Sequence, residues 1–186
     1  MTQALPRLVV PPADQPRVIR LESPGGRRAQ AHVLERPQAI AVNAALAAER
    51  PLLIKGEPGV GKSQLSRAAA VALGRNHVAH VVDAHTEPRD LLYTVDVVRR
   101  LADAQARRPA EGSDRDGLDI CHYVNPGVLW TAFDPSGAQG QLDIYHRKAA
   151  AIVSGASPSD PPSPGVVVLI DEIDKADAAI PNALLD

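Results

Sequence analysis

Residues 51–63 have the sequence PLLIKGEPGVGKS, and the rest of the chain is interpreted from this stretch. Residues 52–54 are an apolar run of strand length, and residues 56–63 fit the pattern G-x-x-x-x-G-K-[ST] at every fixed position. The glycines of such a loop permit tight turns and bring backbone N–H groups close to phosphate oxygens. The stretch therefore predicts a phosphate-binding loop between a strand and a helix, although a plain glycine-rich turn fits the same pattern.

The residue types at the end of the loop indicate a nucleotide as ligand. Lys62 would reach the β- and γ-phosphates, and the hydroxyl of Ser63 would ligate Mg²⁺. The N-terminus of the following helix would add its partial positive charge. The predicted nucleotide-binding residues are Gly56, Glu57, Pro58, Gly59, Val60, Gly61, Lys62, Ser63 and Gln64.

The composition is that of a soluble globular protein. The chain has 186 residues, is 45% hydrophobic and 23% charged, and carries a formal net charge of −2. The charge balance does not indicate a nucleic-acid surface, and no apolar run approaches the roughly 20 residues of a membrane helix. Cys121 is the single cysteine, so a disulfide framework is excluded and a reducing cytoplasm is the expected location.

The N-terminal third is expected to contain a tail followed by two helices. Residues 1–30 hold five prolines and show no sustained period, which predicts a flexible tail, with a short strand at residues 8–10 as the alternative. Residues 36–50 and 62–73 carry apolar and small residues at helical spacing. Residues 77–83 are predicted to form a second strand.

The middle of the chain is expected to contain helices separated by variable loops. Residues 102–119 and 134–165 are predicted to be variable loops, the second with a helix within residues 141–153. Residues 120–133 predict a strand, a turn and the start of a helix, with Trp130 and Phe133 as packing anchors. A helix with a core-facing side is predicted from the spacing of Leu91, Leu92, Val95, Val98 and Leu101.

Residues 166–170 are the most hydrophobic run of the chain. The sequence VVVLI is typical of a strand buried on both faces of a parallel sheet, and it is followed by Asp171 and Glu172. The C-terminal edge of such a strand is where an α/β sheet places a ligand site. Asp171 would hold Mg²⁺, and Glu172 would orient or deprotonate the attacking water. An acidic cap on an exposed strand end is the alternative.

With both acidic and glycine-rich motifs in view, the chain resembles an AAA+ ATPase. GEPGVGKS and VVVLIDEIDKAD are similar to the Walker A and Walker B elements of that superfamily. Residues 86–92, TEPRDLL, and residues 123–129, YVNPGVL, resemble segments of the MoxR-like branch. The resemblance implies an α/β fold, a three-layer P-loop NTPase core with a mostly parallel sheet, over residues 31–186.

The same resemblance implies roles and partners. Lys62 would be the phosphate-binding lysine, Ser63 and Asp171 the Mg²⁺ ligands, and Glu172 the catalytic glutamate. The expected function is ATP binding and Mg²⁺-dependent ATP hydrolysis that remodels a partner protein, in a hexameric ring of identical subunits. A nucleotide-dependent binding module with little hydrolysis, and a motor acting on nucleic acid, remain alternatives.

The resemblance also implies that the core is incomplete at its C-terminus. The chain ends at Asp186, soon after the Walker B-like element, where the family continues with a sensor strand, an arginine finger and a helical lid. The sensor strand would lie between the strand that precedes the phosphate loop and the Walker B strand. We therefore expect open strand edges, and weak nucleotide binding and turnover by this chain alone.

Overall fold

The computed structural model describes residues 7–21, 30–106, 118–149, 165–176, 180–181 and 184. The chain divides into two compact units, Met1–His85 with Ser163–Asp186, and Thr86–Pro162. The described strands are β1 (Arg17–Leu21), β2 (Gln30–Leu34), β3 (Asn76–Val81), β4 (Tyr93–Val95), β5 (Val124–Pro126) and β6 (Val166–Asp171). The described α-helices are α1 (Arg36–Ala48), α2 (Lys62–Leu73), α3 (Val97–Ala106), α4 (Val128–Phe133) and α5 (Pro135–Ala149). Short 3-10 helices lie at Pro88–Leu91, Ile120–Tyr123 and Ile173–Lys175.

An antiparallel pair, β1 and β2, opens the first unit. Ile19 and Leu21 alternate with exposed residues along β1, as His32 and Leu34 do in β2, so one face of the pair is buried and mostly apolar. Leu8 is also buried, and the side-chain amide of Asn43 in α1 bonds both its N–H (2.8 Å) and its carbonyl (2.9 Å).

These contacts correct the prediction of a tail over residues 1–30. Residues 7–21 contain a strand and buried apolar side chains, while residues 1–6 and 22–29 lie outside the described residues. The prolines do not oppose this structure, because Pro16 lies just before β1 and removes no hydrogen bond from its interior. The hairpin forms because it can place its apolar face on two helices.

Helices α1 and α2 supply the other side of this core. Glu35 caps α1 with a capping box, in which its backbone N–H donates to the side chain of Gln38 at 3.0 Å. Helix α2 ends at Gly74, whose φ of 64° is the left-handed conformation that favours glycine. Both helices were predicted, and the bounds of α2 agree with the prediction. The core that they form with the hairpin consists of Leu8, Ile19, Leu21, Leu34, Ala39, Val42, Leu65, Ala68 and Ala69.

Strands β3 and β6 form a parallel pair against which α2 packs. The register runs from Asn76 opposite Val166 to Val81 opposite Asp171. The parallel pair and its covering helix agree with an α/β fold. Strand β6 is half-buried along its length rather than buried on both faces, because β3 is its single strand neighbour among the described residues.

The strand predicted at residues 52–54 is not formed. Leu52, Leu53 and Ile54 have no strand assignment, and Leu53 is 65% exposed. A strand requires a partner for its backbone N–H and C=O groups, and the described sheets offer none to this segment. The apolar run therefore leads into the glycine-rich loop without pairing to a described strand.

The second unit contains an antiparallel pair, β4 and β5, with its helices. Tyr123, just before β5, is fully buried, and its hydroxyl donates to Asp103 at 2.7 Å. The Arg99 guanidinium lies over the rings of Tyr123 and Tyr145, with its central carbon 5.2 and 4.3 Å from the ring centroids. These contacts tie α3 to α5 and to the 3-10 helix that precedes β5.

Two predictions for this unit are wrong. The continuous helix predicted from Leu91 to Leu101 is divided into a 3-10 helix, β4 and α3, because the β-branched residues of β4 pair with β5. Leu91 is buried, but Val98 is 76% exposed. Phe133 is 79% exposed and so is not a packing anchor.

The two predicted variable loops are described only in part. Helix α3 extends into residues 102–119 as far as Ala106, and residues 107–117 lie outside the described part. Helix α5 starts earlier than predicted, because Asp134 receives the backbone N–H of Gly137 at 2.9 Å and caps the first turn. Residues 150–164 lie outside the described part.

Candidate functional site

The glycine-rich segment forms an exposed loop that ends at the first turn of α2. Gly59 and Gly61 have φ values of 83° and 88°, which L-residues with a side chain rarely adopt. Gly61 is the N-cap of α2, and Lys62, Ser63 and Gln64 are its first three residues. Their backbone N–H groups lack intrahelical partners at a helix start, so they are available to an anion.

The ammonium of Lys62 folds back over the loop. Its Nζ donates to the carbonyl oxygens of Gly56 at 2.7 Å and of Glu57 at 2.8 Å. An ammonium has three N–H donors, so these two bonds hold the cation in place and leave one donor for a ligand. Glu57, Pro58 and Val60 are exposed along the same loop.

The two separated motifs meet through Ser63 and Asp171. The hydroxyl of Ser63 donates to Oδ2 of Asp171 at 2.7 Å. Ser63 lies in the first turn of α2, and Asp171 is the last residue of β6, where the parallel pair with β3 ends. The fold therefore places the predicted loop and the predicted acidic strand end at one site.

Glu172 follows Asp171 in an unusual backbone conformation. Its φ of 59° and ψ of 33° lie in the left-handed region, which is strained for a residue other than glycine. Its backbone N–H donates to Oδ1 of Asp171 at 3.0 Å. Both oxygens of Asp171 are therefore engaged, one by Ser63 and the other by the backbone of its neighbour.

The side chain of Glu172 contacts a residue that the sequence analysis did not assign to the site. Nζ of Lys175 donates to Oε2 of Glu172 and forms an ion pair with it. This hydrogen bond raises the pKa of the Lys175 ammonium above its ordinary value. The available signal was the spacing of three residues, which becomes a contact when the segment forms a 3-10 turn.

Two histidines also lie next to the predicted residues. His32 of β2 is 5% exposed, and its ring lies beside Gly61, so the hairpin supports the end of the loop. His77 of β3 shares a 3.0 Å hydrogen bond with Ser66, whose hydroxyl donates to the carbonyl of Ser63 at 2.8 Å. Burial, and then the charge of Arg67, lower the pKa of His77. Only tertiary structure could reveal these neighbours.

The donors at this site suit a magnesium nucleotide. Mg²⁺ prefers oxygen ligands and retains several waters, so one hydroxyl and one carboxylate beside a phosphate loop are an appropriate set. Ser63 and Asp171 supply these oxygens within 2.7 Å of each other. The residues that would hold the nucleotide and its metal are therefore close to each other in the first unit.

A family model for the AAA domain, dynein-related subfamily, matches residues 51–186. The chain belongs to this AAA family. Membership implies nucleotide-dependent ATPase activity, and AAA ATPases typically use ATP with Mg²⁺ and commonly assemble into oligomers. No curated protein and no solved structure matches the chain. Among the described residues of this AAA protein, no helix is long and apolar enough to cross a membrane.

Proposed function

We propose that this AAA protein binds ATP at residues 56–64 and hydrolyses its β–γ phosphoanhydride in a Mg²⁺-dependent reaction. The observation that carries this proposal is the 2.7 Å hydrogen bond between Ser63 and Asp171. It joins the Walker A-like loop to the Walker B-like strand end, and each motif alone has a plainer structural interpretation.

Phosphate binding would depend on the loop backbone and on Lys62. The N–H groups at the start of α2 would donate to phosphate oxygens, and the positive end of the helix would favour their charge. The Lys62 ammonium, held by the carbonyls of Gly56 and Glu57, would direct its remaining donor to the β- and γ-phosphates. Mg²⁺, held by Ser63 and Asp171, would offset negative charge on the phosphate oxygens.

Hydrolysis would use Glu172 as the general base. Its carboxylate accepts a proton from water while the water oxygen attacks the γ-phosphorus, and the bond to the β–γ bridging oxygen breaks to release ADP and phosphate. The short link from Glu172 N–H to Asp171 keeps the base beside the metal-binding carboxylate. This arrangement would position the base, as phosphoryl transfer requires.

A MoxR-like branch and a protein-remodelling output are the finer part of the proposal. The two segments that resemble this branch pack together in the second unit, next to the pairing of β4 with β5. The N–H of Gly127 donates to the carbonyl of Leu92 at 2.7 Å, and any Cβ at Gly127 would collide with the Leu91 backbone. Glycine is thus required at position 127 by this packing. A hexameric ring with a protein client is the assembly we propose.

The test compares ATP turnover with ATP binding in the chain and in Glu172→Gln. Glu172→Gln should bind ATP with unchanged affinity and lower turnover by about 10²- to 10⁴-fold, because the amide cannot accept the proton. Asp174→Asn removes a neighbouring carboxylate from the same turn and is the matched control, with turnover expected near that of the unmodified chain.

Three results would contradict the proposal or its finer part. Unchanged turnover in Glu172→Gln would mean that this carboxylate is not the base. Tight ATP binding without turnover in the unmodified chain, measured with and without Mg²⁺, would instead support a nucleotide-dependent binding module. Turnover stimulated by nucleic acid rather than by protein would support the nucleic-acid motor.

A further inference from the structure

The ion pair between Lys175 and Glu172 gives the site a residue that neither the AAA family match nor the motif pattern assigns. We propose that Lys175 is a positioning residue that fixes the carboxylate of Glu172 for proton transfer from water. The inference rests on the proposed function, because it takes Glu172 as the general base.

The backbone brings the two side chains together. Glu172 is the N-cap of the 3-10 helix Ile173–Lys175, and the N–H of Lys175 donates to the carbonyl of Glu172 at 2.9 Å. A 3-10 helix has three residues per turn, so side chains three positions apart lie above one another. The contact between Lys175 Nζ and Glu172 Oε2 therefore follows from the turn that ends β6.

The pair extends a continuous set of hydrogen bonds through the site. Ser63 donates to one oxygen of Asp171, the N–H of Glu172 donates to the other, and Lys175 donates to Oε2 of Glu172. With Lys175 donating to Oε2, Oε1 is the carboxylate oxygen that keeps both of its lone pairs for the attacking water. Fixing one carboxylate oxygen limits rotation of the group, and small errors in the position of a catalytic group lower rates strongly.

An exposed pair of this kind stabilises the folded state only slightly. Both side chains are about half exposed, at 56% for Lys175 and 45% for Glu172. Solvent screening and the loss of side-chain freedom offset most of the attraction in such pairs. The proposed role concerns the rate of hydrolysis, and loss of the contact should leave the unfolding transition almost unchanged.

The experiment is a double-mutant cycle on Lys175 and Glu172, measured by single-turnover hydrolysis of MgATP with protein in excess. Lys175→Met, which keeps length but removes the charge, should lower the hydrolysis rate constant about 10- to 100-fold. ATP affinity and the urea unfolding midpoint should not change. Lys175→Arg retains a donor and should restore most of the rate. In the Glu172→Gln background, Lys175→Met should cause no further loss.

A second measurement tests the contact without turnover. An ammonium that donates to a carboxylate is a poorer nucleophile, so Lys175 should react with an amine acylating reagent more slowly than exposed Lys55. Glu172→Gln should remove this protection of Lys175 and leave the labelling of Lys55 unchanged. Mass spectrometry of peptides reports both sites in one sample.

These measurements distinguish failure of the positioning role of Lys175 from failure of the proposed function. A rate constant that is unchanged or raised in Lys175→Met, while Glu172→Gln abolishes hydrolysis, overturns the positioning role and leaves the proposed function intact. A change in ATP affinity rather than in rate, or equal labelling of Lys175 and Lys55, also overturns it. Unchanged hydrolysis in Glu172→Gln overturns the proposed function itself.

Discussion

The hydroxyl of Ser63 and the carboxylate of Asp171 are 2.7 Å apart, although 108 positions of sequence separate them. The first residue lies in the opening turn of α2, and the second ends β6 of the parallel pair. Helix α2 packs on this pair, so the contact depends on the packing of a helix on a sheet and on the register of β3 with β6.

Ser63→Ala and Asp171→Asn should each weaken the apparent affinity for Mg²⁺ in the hydrolysis reaction. Each change removes an oxygen of the proposed metal site or lowers its charge, so the half-saturating Mg²⁺ concentration should rise about 10-fold or more. The double variant should lose less than the product of the two effects, since the residues act as a pair. Ser136→Ala, in α5 of the second unit, is the control; an equal shift in that variant would contradict the assignment.

Lys62→Ala should remove most of the affinity for ATP. The loop would lose a charge-assisted donor to phosphate, which contributes about 1.5–3 kcal/mol, so the dissociation constant should rise at least about 10-fold. Lys55→Ala removes an exposed lysine just before the loop and should bind like the unmodified chain. Titration calorimetry with ATP measures both. Equal losses in the two variants would mean that general charge, rather than the loop geometry, attracts the nucleotide.

Leu34→Ala should destabilise the first unit by about 2–5 kcal/mol. Leu34 is fully buried where β2 meets the helices, and truncation leaves a cavity in that core. Val33 is its neighbour in the same strand and is 48% exposed, so Val33→Ala should change the free energy of unfolding by less than about 1 kcal/mol. Urea unfolding curves of the two variants provide the comparison. Similar midpoints would show that the hairpin does not belong to the core.

Gly127→Ala should destabilise the second unit strongly, because the added methyl group would meet the backbone of Leu91. Gly140 lies in α5 with open space around its Cα, so Gly140→Ala is the matched control and should be neutral or stabilising by up to about 1 kcal/mol. Thermal unfolding measures both changes. Tolerance of alanine at residue 127 would contradict the close approach of Gly127 to the 3-10 helix Pro88–Leu91.

Stability should decrease as the pH falls below about 6.5, the ordinary pKa of histidine, in part because of His77. Burial and Arg67 lower the pKa of His77, so the unfolded chain binds more protons than the folded chain between this lowered pKa and the ordinary value. The contribution of neutral His77 to the free energy of unfolding is complete above the ordinary pKa. It is lost as the pH falls towards the lowered pKa of the folded chain. His77→Gln should show a flatter pH dependence of the urea midpoint between pH 5 and pH 7. A steeper pH dependence in that variant would mean that protonated His77 stabilises the folded state, which would contradict this prediction.

Several elements follow from local sequence. The helix over residues 62–73 was predicted with the bounds that the structure has. The features that define it are its small and apolar residues, the loop before it and Gly74 after it, and all of them lie within or next to the helix. The strand before Asp171 was predicted from its continuous β-branched run. Glycine at positions 59 and 61 is explained by the positive φ that the loop requires there.

Other elements depended on partners distant in the sequence. Residues 52–54 have the composition of a strand, yet remain unpaired because no described strand lies beside them. The hairpin β1–β2 forms in a proline-rich region because the side chains of Leu8 and Ile19 pack in one core with residues of α1 and α2. Val95 has the spacing of a helix position but pairs with β5 instead.

The sequence by itself determined that a glycine-rich loop, the helix after it and an acidic strand end are present, because those patterns depend on residues a few positions apart. Tertiary structure decided that Ser63 meets Asp171. This contact requires α2 and β6 to pack together, which the spacing within each motif does not encode. The contact between Lys175 and Glu172 is local, but it forms only because the backbone turns at a left-handed Glu172.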